Sequence, residues 1–306
     1  MSFLHSSDPG IHRIVPASST IEKIAGGFTF TEGPVWTPDG DLLFSDIPEN
    51  TIFRWKPSGE VSTFRKPSGY DGKDAPAGAF VGSNGLTLDH RGCLTIAEHG
   101  NHRVTRLEPD GSLTVLCSHF NGKRLNSPND LVWHSSGKLY FTDPPYGFMK
   151  QDDDPAKELD FNGVFYWRNG ELTLLHRNMT RPNGVAFTPD EKTLYVGNSD
   201  PKARLWNRFD VNADGTLGEP ELFANLTQEP YAGNPDGMKL DVEGNLYCTG
   251  PGGVWVFTPE AKILGRIEFP EIPANCHWGD ADGQMLYVTA RTGLYRIKLN
   301  LAGIRP

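Results

Sequence analysis

The stretch "EGPVWTPDGDLLFSDIPENTIFRWKPSG", Glu32 to Gly59, decides the fold once it is laid beside five others. It runs as a polar residue, a short apolar strand, a Pro-Asp-Gly turn, a second strand, a third strand and another turn. "NGLTLDHRGCLTIAEHGNHRVTRLEPDG" from Asn84 repeats the plan, and so does "NDLVWHSSGKLYFTDPPYG" from Asn129. Three more units follow: "NGVAFTPDEKTLYVGNSDPKARLWNRFDVNADG" from Asn183, "DGMKLDVEGNLYCTGPGGVWVFTPEAKILG" from Asp236 and "NCHWGDADGQMLYVTARTGLYRIKL" from Asn275. By subtraction the starting residues lie 52, 45, 54, 53 and 39 positions apart, near the period of about 40 to 50 residues of a four-stranded propeller blade. Six units predict an all-β, six-bladed β-propeller occupying residues 1–306 as one domain. The last unit is one strand short. The segment Ile14 to Lys23 is therefore expected to return beside "GLYRIKL" and close the ring, since closure removes an exposed strand edge.

Composition agrees with a strand-rich globular chain. Among the 306 residues, 34 are glycine, 24 are proline and 37% are hydrophobic, enough for a sizeable core. No window holds a sustained 3.6-residue apolar period. The net charge of −9 and the lack of clustered Lys and Arg argue against a nucleic-acid surface. No segment reaches the roughly 20 apolar residues of a membrane span, and the first residues carry neither a basic region nor a signal-like apolar run. The expectation is a cytoplasmic chain with no membrane partner. Cys93, Cys117, Cys248 and Cys276 are far apart with no C-x-x-C pair, and read as reduced core residues.

If the first strand of each unit is the innermost, six starting residues converge on one mouth of the central channel: Glu32, Asn84, Asn129, Asn183, Asp236 and Asn275. All six offer side-chain oxygens. Converging carboxylate and amide oxygens suit a hard divalent cation, Ca²⁺ above all, with Mg²⁺ or Mn²⁺ less favoured and Zn²⁺ disfavoured by the absence of nitrogen and sulfur donors. Asp130 is expected to stand behind Asn129 and orient its amide. Any one such residue is also a good turn former; six equivalent ones weigh towards a site.

The motifs then become recognisable. "EGPVW" (Glu32–Trp36), "AEHGNHRVTR" (Ala97–Arg106), "GKRLNSPNDLV" (Gly122–Val132), "FTDPPYG" (Phe141–Gly147), "RPNGVAFTPD" (Arg181–Asp190) and "GNPDGMKLD" (Gly233–Asp241) resemble the senescence marker protein (regucalcin) and gluconolactonase family. The likeness is strongest to its gluconolactonase branch. It covers Thr31 to Lys298 and implies a calcium-dependent six-bladed propeller that opens sugar lactones. It further implies that the metal is held by Glu32, Asn129, Asn183 and Asp236, leaving Asn84 and Asn275 to line the channel near substrate. Regucalcin-like members carry an Arg two residues before the Asn of the third motif, and here that position is Ser127, so sugar recognition through that Arg is not expected.

The chemistry follows from a cation with open positions, which polarises a lactone carbonyl. Asp236 is the expected general base, with a purely ligating role as the alternative. His99, His277 and Tyr146 are candidate substrate contacts, although the two histidines read equally as turn or inter-blade hydrogen-bonding groups. The Gly- and Pro-rich segment Arg65 to Ser83 and the segment Phe148 to Asn162 are expected to wall the pocket with Tyr70, Tyr146, Phe148 and Met149. Asp152 to Asp154 read as a solvated acidic run. Phosphotriester hydrolysis and a non-catalytic calcium-binding propeller remain open as alternatives.

Overall fold

A computed structural model describes residues 3–304. Six antiparallel sheets carry almost all of the regular structure, and the chain is a six-bladed β-propeller. The innermost strands are Thr31–Trp36, Ser83–Leu88, Leu131–Trp133, Pro182–Phe187, Met238–Leu240 and Pro273–Gly279, heading blades I to VI. Each packs against the innermost strands of its two neighbours, and the ring closes where Pro273–Gly279 meets Thr31–Trp36. A single α-helical turn, Ile11–Ile14, is found among the described residues, with both isoleucines fully buried.

Four of the sheets have four strands drawn from consecutive sequence. Blade V gains a fifth, Leu4–Ser6, hydrogen-bonded to the outer strand Ile263–Ile267. In blade VI the outermost position is taken by Glu22–Gly26, antiparallel to Gly293–Lys298 with Glu22 opposite Arg296 and Gly26 opposite Gly293. The closing strand thus begins later than the expected Ile14 to Lys23. Ile14 is instead spent on the helical turn, which packs with Tyr247, Trp278 and Val288 in the apolar layer between blades V and VI.

Apolar layers of this kind separate the other blades too, because the strands are buried on both faces against neighbouring sheets. Tyr247 and Trp278 meet edge to face at 4.9 Å, and Phe141 stacks on Phe165 at 5.5 Å. The four cysteines are free and buried.

Two features set the channel mouth. The innermost strands are bulged where their polar residues sit: the register shifts between Glu32 and Val35, between Ser83 and Leu86, and between Pro182 and Val185. A bulge re-aims a side chain out of the alternation a regular strand imposes. The glycine after the polar residue lets the next blade approach. A Cβ on Gly33, whose φ is +49°, would lie 2.1 Å from the carbonyl oxygen of Asn84, and one on Gly184 would lie 2.0 Å from that of Asp236. Hydroxyls from the second strands brace carbonyls of the neighbouring innermost strand: Ser45 Oγ donates to the Asn84 oxygen at 2.8 Å and Thr142 Oγ1 to the Asn183 oxygen at 2.7 Å.

Candidate active site

One cavity of about 440 Å³ opens at this mouth, and Glu32, Asn84, Asn129, Asn183 and Asp236 all line it. The bulges and glycines deliver them there. Of the six starting residues only Asn275 lies outside the lining. It stands behind Glu32, donating its amide N–H to Glu32 Oε2 at 3.0 Å while its oxygen accepts the Cys276 N–H at 2.8 Å. Glu32 Oε2 also accepts the Gly33 N–H at 2.6 Å.

The electrostatics of the floor are those of two carboxyls crowded together. Burial raises the pKa of Glu32 above the usual carboxylate range, with the nearby Asp130 adding to the rise. Asp236 is pushed up further, first by burial and then by the charge of Glu32. Desolvation and like charge both penalise the ionised form, a penalty that a bound cation would relieve. The site's donor set of two carboxylates and neighbouring amide oxygens fits a hard divalent cation. Among the described residues no three His, Cys, Asp or Glu side chains form a metal-holding group; the further oxygens at this floor belong to amides.

Asn84 supplies a sharper observation. His99 Nδ1 lies 3.3 Å from the carbonyl of Phe80, which only accepts, so Nδ1 carries the ring proton and Nε2 accepts from the Asn84 amide nitrogen at 3.2 Å. Burial pulls the His99 pKa down to about 3, so the ring is neutral. That bond fixes the amide and leaves Asn84 Oδ1, which is buried, without a hydrogen-bond partner. A buried acceptor left bare costs free energy unless a ligand or water satisfies it.

Asp130 and His277 are placed differently from the sequence expectation. The Asp130 carboxylate accepts the backbone N–H groups of Leu131, at 2.9 Å, and Val185, at 3.3 Å, bracing blade III against blade IV. His277 lines a separate cavity at the opposite end of the channel, with Trp133, Phe187 and Leu240, and its Nδ1 lies 2.7 Å from the Trp278 carbonyl.

Tyr146 lines the active cavity, its phenol facing Ser199 and Asn183 and kept neutral by burial. The other expected wall residues do not. Met149 is exposed, and Phe148 is buried against the His102 ring at 4.7 Å. Tyr70 bonds Asp74, in a segment anchored by Asn50, whose side-chain oxygen accepts the N–H groups of Ser68 and Gly69 at 3.0 and 2.8 Å. The two expected segments do reach the cavity, but through other residues, Phe80 and Gln151; Phe30 and Ile47 join the first and Arg181 and Asp200 the second. Asp152 and Asp153 are exposed, as expected of a solvated acidic run, but Asp152 is also engaged. It pairs with Arg181 and with Lys157 and accepts from the Asn162 amide at 3.0 Å.

A family profile described as the SMP-30/gluconolactonase/LRE-like region matches residues 30–292. The chain is 39% identical to a gluconolactonase of Zymomonas mobilis subsp. mobilis, over 96% of this chain and 85% of that protein. It is 28% identical to regucalcin of Xenopus laevis, over 90% and 93% of the two chains. The solved structure of a gluconolactonase from Xanthomonas campestris superposes with a TM-score of 0.84 at 29% identity, covering 97% of this chain and 94% of that one.

Proposed function

Because this chain belongs to the SMP-30/gluconolactonase/LRE-like family, we propose that its channel-mouth cavity opens aldonolactones of the gluconolactone type. The protein is a lactone hydrolase. The observation that carries the site assignment is the convergence of Glu32 and Asp236, two buried carboxyls of raised pKa, with three asparagines on the floor of one cavity.

In this reading Glu32, Asn129, Asn183 and Asp236 hold a divalent cation, with Ca²⁺ the best match to an all-oxygen set. When bound, such a cation supplies electrophilic pull on the lactone carbonyl oxygen. The remaining work belongs to side chains. Asp236, as carboxylate, accepts a proton from water while the water oxygen adds to the carbonyl carbon. As the ring C–O bond breaks, the departing oxygen takes that proton back, leaving a hydroxy acid and the carboxylate restored. Asn84 Oδ1 accepts a substrate hydroxyl. His99 is neutral, so its part is to hold the Asn84 amide rather than to pass protons.

The test is a panel of aldonolactones with one organophosphate, assayed with and without chelator. Turnover of a lactone that chelator abolishes and Ca²⁺ restores supports the reading. A protein that binds Ca²⁺ and leaves every lactone untouched overturns it.

A further inference from the structure

Above its floor the cavity is two-sided. Phe30 and Phe80, with ring centroids 5.1 Å apart, face a polar wall that includes Gln151, Arg181 and Asp200. Among the described residues that line the cavity, Arg181 is the single cation, against the carboxyls of Glu32, Asp200 and Asp236. A lone arginine beside a sugar-sized pocket would ordinarily read as a seat for phosphate or carboxylate, because its fork of donors matches both.

Here three of the five guanidinium N–H donors are already engaged. The guanidinium is paired with Asp152, and it also donates to the Thr180 carbonyl at 2.7 Å and to Gln151 Oε1 at 3.2 Å. Asp152 is itself built in. Its other oxygen accepts from the Asn162 amide at 3.0 Å and lies 3.6 Å from Lys157 Nζ. The Lys157 side chain is only 6% exposed and donates to the Leu159 carbonyl at 2.6 Å. The carboxylate, although itself exposed, is thus held within the Phe148–Asn162 segment by Asn162 and Lys157 where it meets Arg181.

We infer that Asp152 is a specificity-determining residue: by neutralising Arg181 it keeps the cavity for uncharged lactones and refuses those bearing a phosphate or carboxylate. The inference rests on the lactone-hydrolase reading of the same cavity. It assigns to the second wall a task the floor cannot perform, since a cation bound below would, if anything, favour an anionic lactone over a neutral one. Like-charge juxtaposition is an effective way to reject a wrong ligand.

The experiment compares kcat/KM for glucono-1,5-lactone and its 6-phosphate in the calcium-loaded protein. Wild type should favour the neutral lactone. Asp152→Asn should raise the phosphorylated-to-neutral ratio by about tenfold or more, mainly through KM. Asp152→Asn/Arg181→Gln should return the ratio to the wild-type side, and so should Asp152→Glu, which keeps the charge; mere loosening of the loop would not be reversed by removing Arg181. A wild type that takes both lactones equally overturns the inference, as does a ratio unmoved by Asp152→Asn or a rise that survives the double substitution. Equilibrium binding of 6-phosphogluconate gives a second measurement that needs no turnover. Tighter binding by Asp152→Asn than by wild type supports the inference, and equal binding overturns it. If neither lactone is hydrolysed by any form, the functional reading fails and the binding measurement still decides the role of Asp152.

Discussion

The two ends of the channel are made by the same six strands and differ in chemistry. At the end where those strands begin, carboxyls and amides meet on the floor of a cavity of about 440 Å³. At the end where they finish, a cavity of about 290 Å³ is lined by Leu131, Trp133, Val185, Phe187 and Leu240, with His277 and Lys239 among them. Strand alternation alone does not produce this contrast. What differs is the backbone: bulges and close-packed glycines occur where the strands begin, so side chains that would otherwise alternate are turned together towards the axis. Polar residues can be concentrated there because neighbouring blades hold the backbone. The far end keeps ordinary pleating and ordinary apolar packing.

The sharpest way to break the comparison is to attack the polar end itself. Asp236→Asn should lower kcat by about 10² to 10⁴, the usual worth of a positioned general base, and excess Ca²⁺ should not restore it. Asn129→Ala should weaken Ca²⁺ binding, measured by calorimetry, and excess Ca²⁺ should recover part of its activity. Equal rescue of both variants would reduce Asp236 to a ligand.

Next in size is the backbone device. Gly184→Ala places a methyl group 2.0 Å from the Asp236 carbonyl oxygen, and denaturant melts should show a loss of about 1–3 kcal/mol, as for other overpacked sites.

A pH-dependent effect separates the histidines at the two ends. His99 has a folded pKa of about 3, depressed by burial, against an ordinary value of about 6.5. Above that ordinary value neither state takes the proton. As pH falls from about 6.5 towards 3 the unfolded chain binds a proton that the fold refuses, so stability should drop by up to roughly 1.4 kcal/mol per pH unit. His99→Gln should remove that part of the slope in acid denaturation curves. The least effect on catalysis is expected from His277→Gln, which should lower the melting temperature and leave KM for the lactone unmoved; a changed KM would mean that the two ends communicate.

The polar floor was legible in the sequence because it is written six times over, and repetition turns a weak signal at Asn84 or Asn183 into a consistent one. The direction of His277 was not. It follows Asn275 by two residues, and at about 3.3 Å per residue that step carries it along the strand towards the other mouth. Arg181, Gln151 and Asp200 left no trace in the periodicity because the Phe148–Asn162 segment folds across blade IV to bring Asp152 to a partner 29 positions away. An exposed acidic run gives no sign of the arginine it meets until the fold brings the two together. The ring closure was legible as a need, a missing strand; which residues would fill it depended on Ile11 and Ile14 being claimed by the core instead.

That closure has a mechanical side. In the antiparallel pair that completes blade VI, Glu22 lies opposite Arg296 and Gly26 opposite Gly293, so the two chain ends leave the pair from the same side. Once tension on the termini has stripped Leu4–Ser6, the Ile11–Ile14 turn and residues 302–304, which bond Leu240, Val242 and Gly283, from their seats, the load falls on one rung of the ladder at a time. It does not shear all the rungs together. The ring should therefore open at low force like a zip fastener, after which the floor of the cavity loses the geometry that only a complete circle of blades maintains.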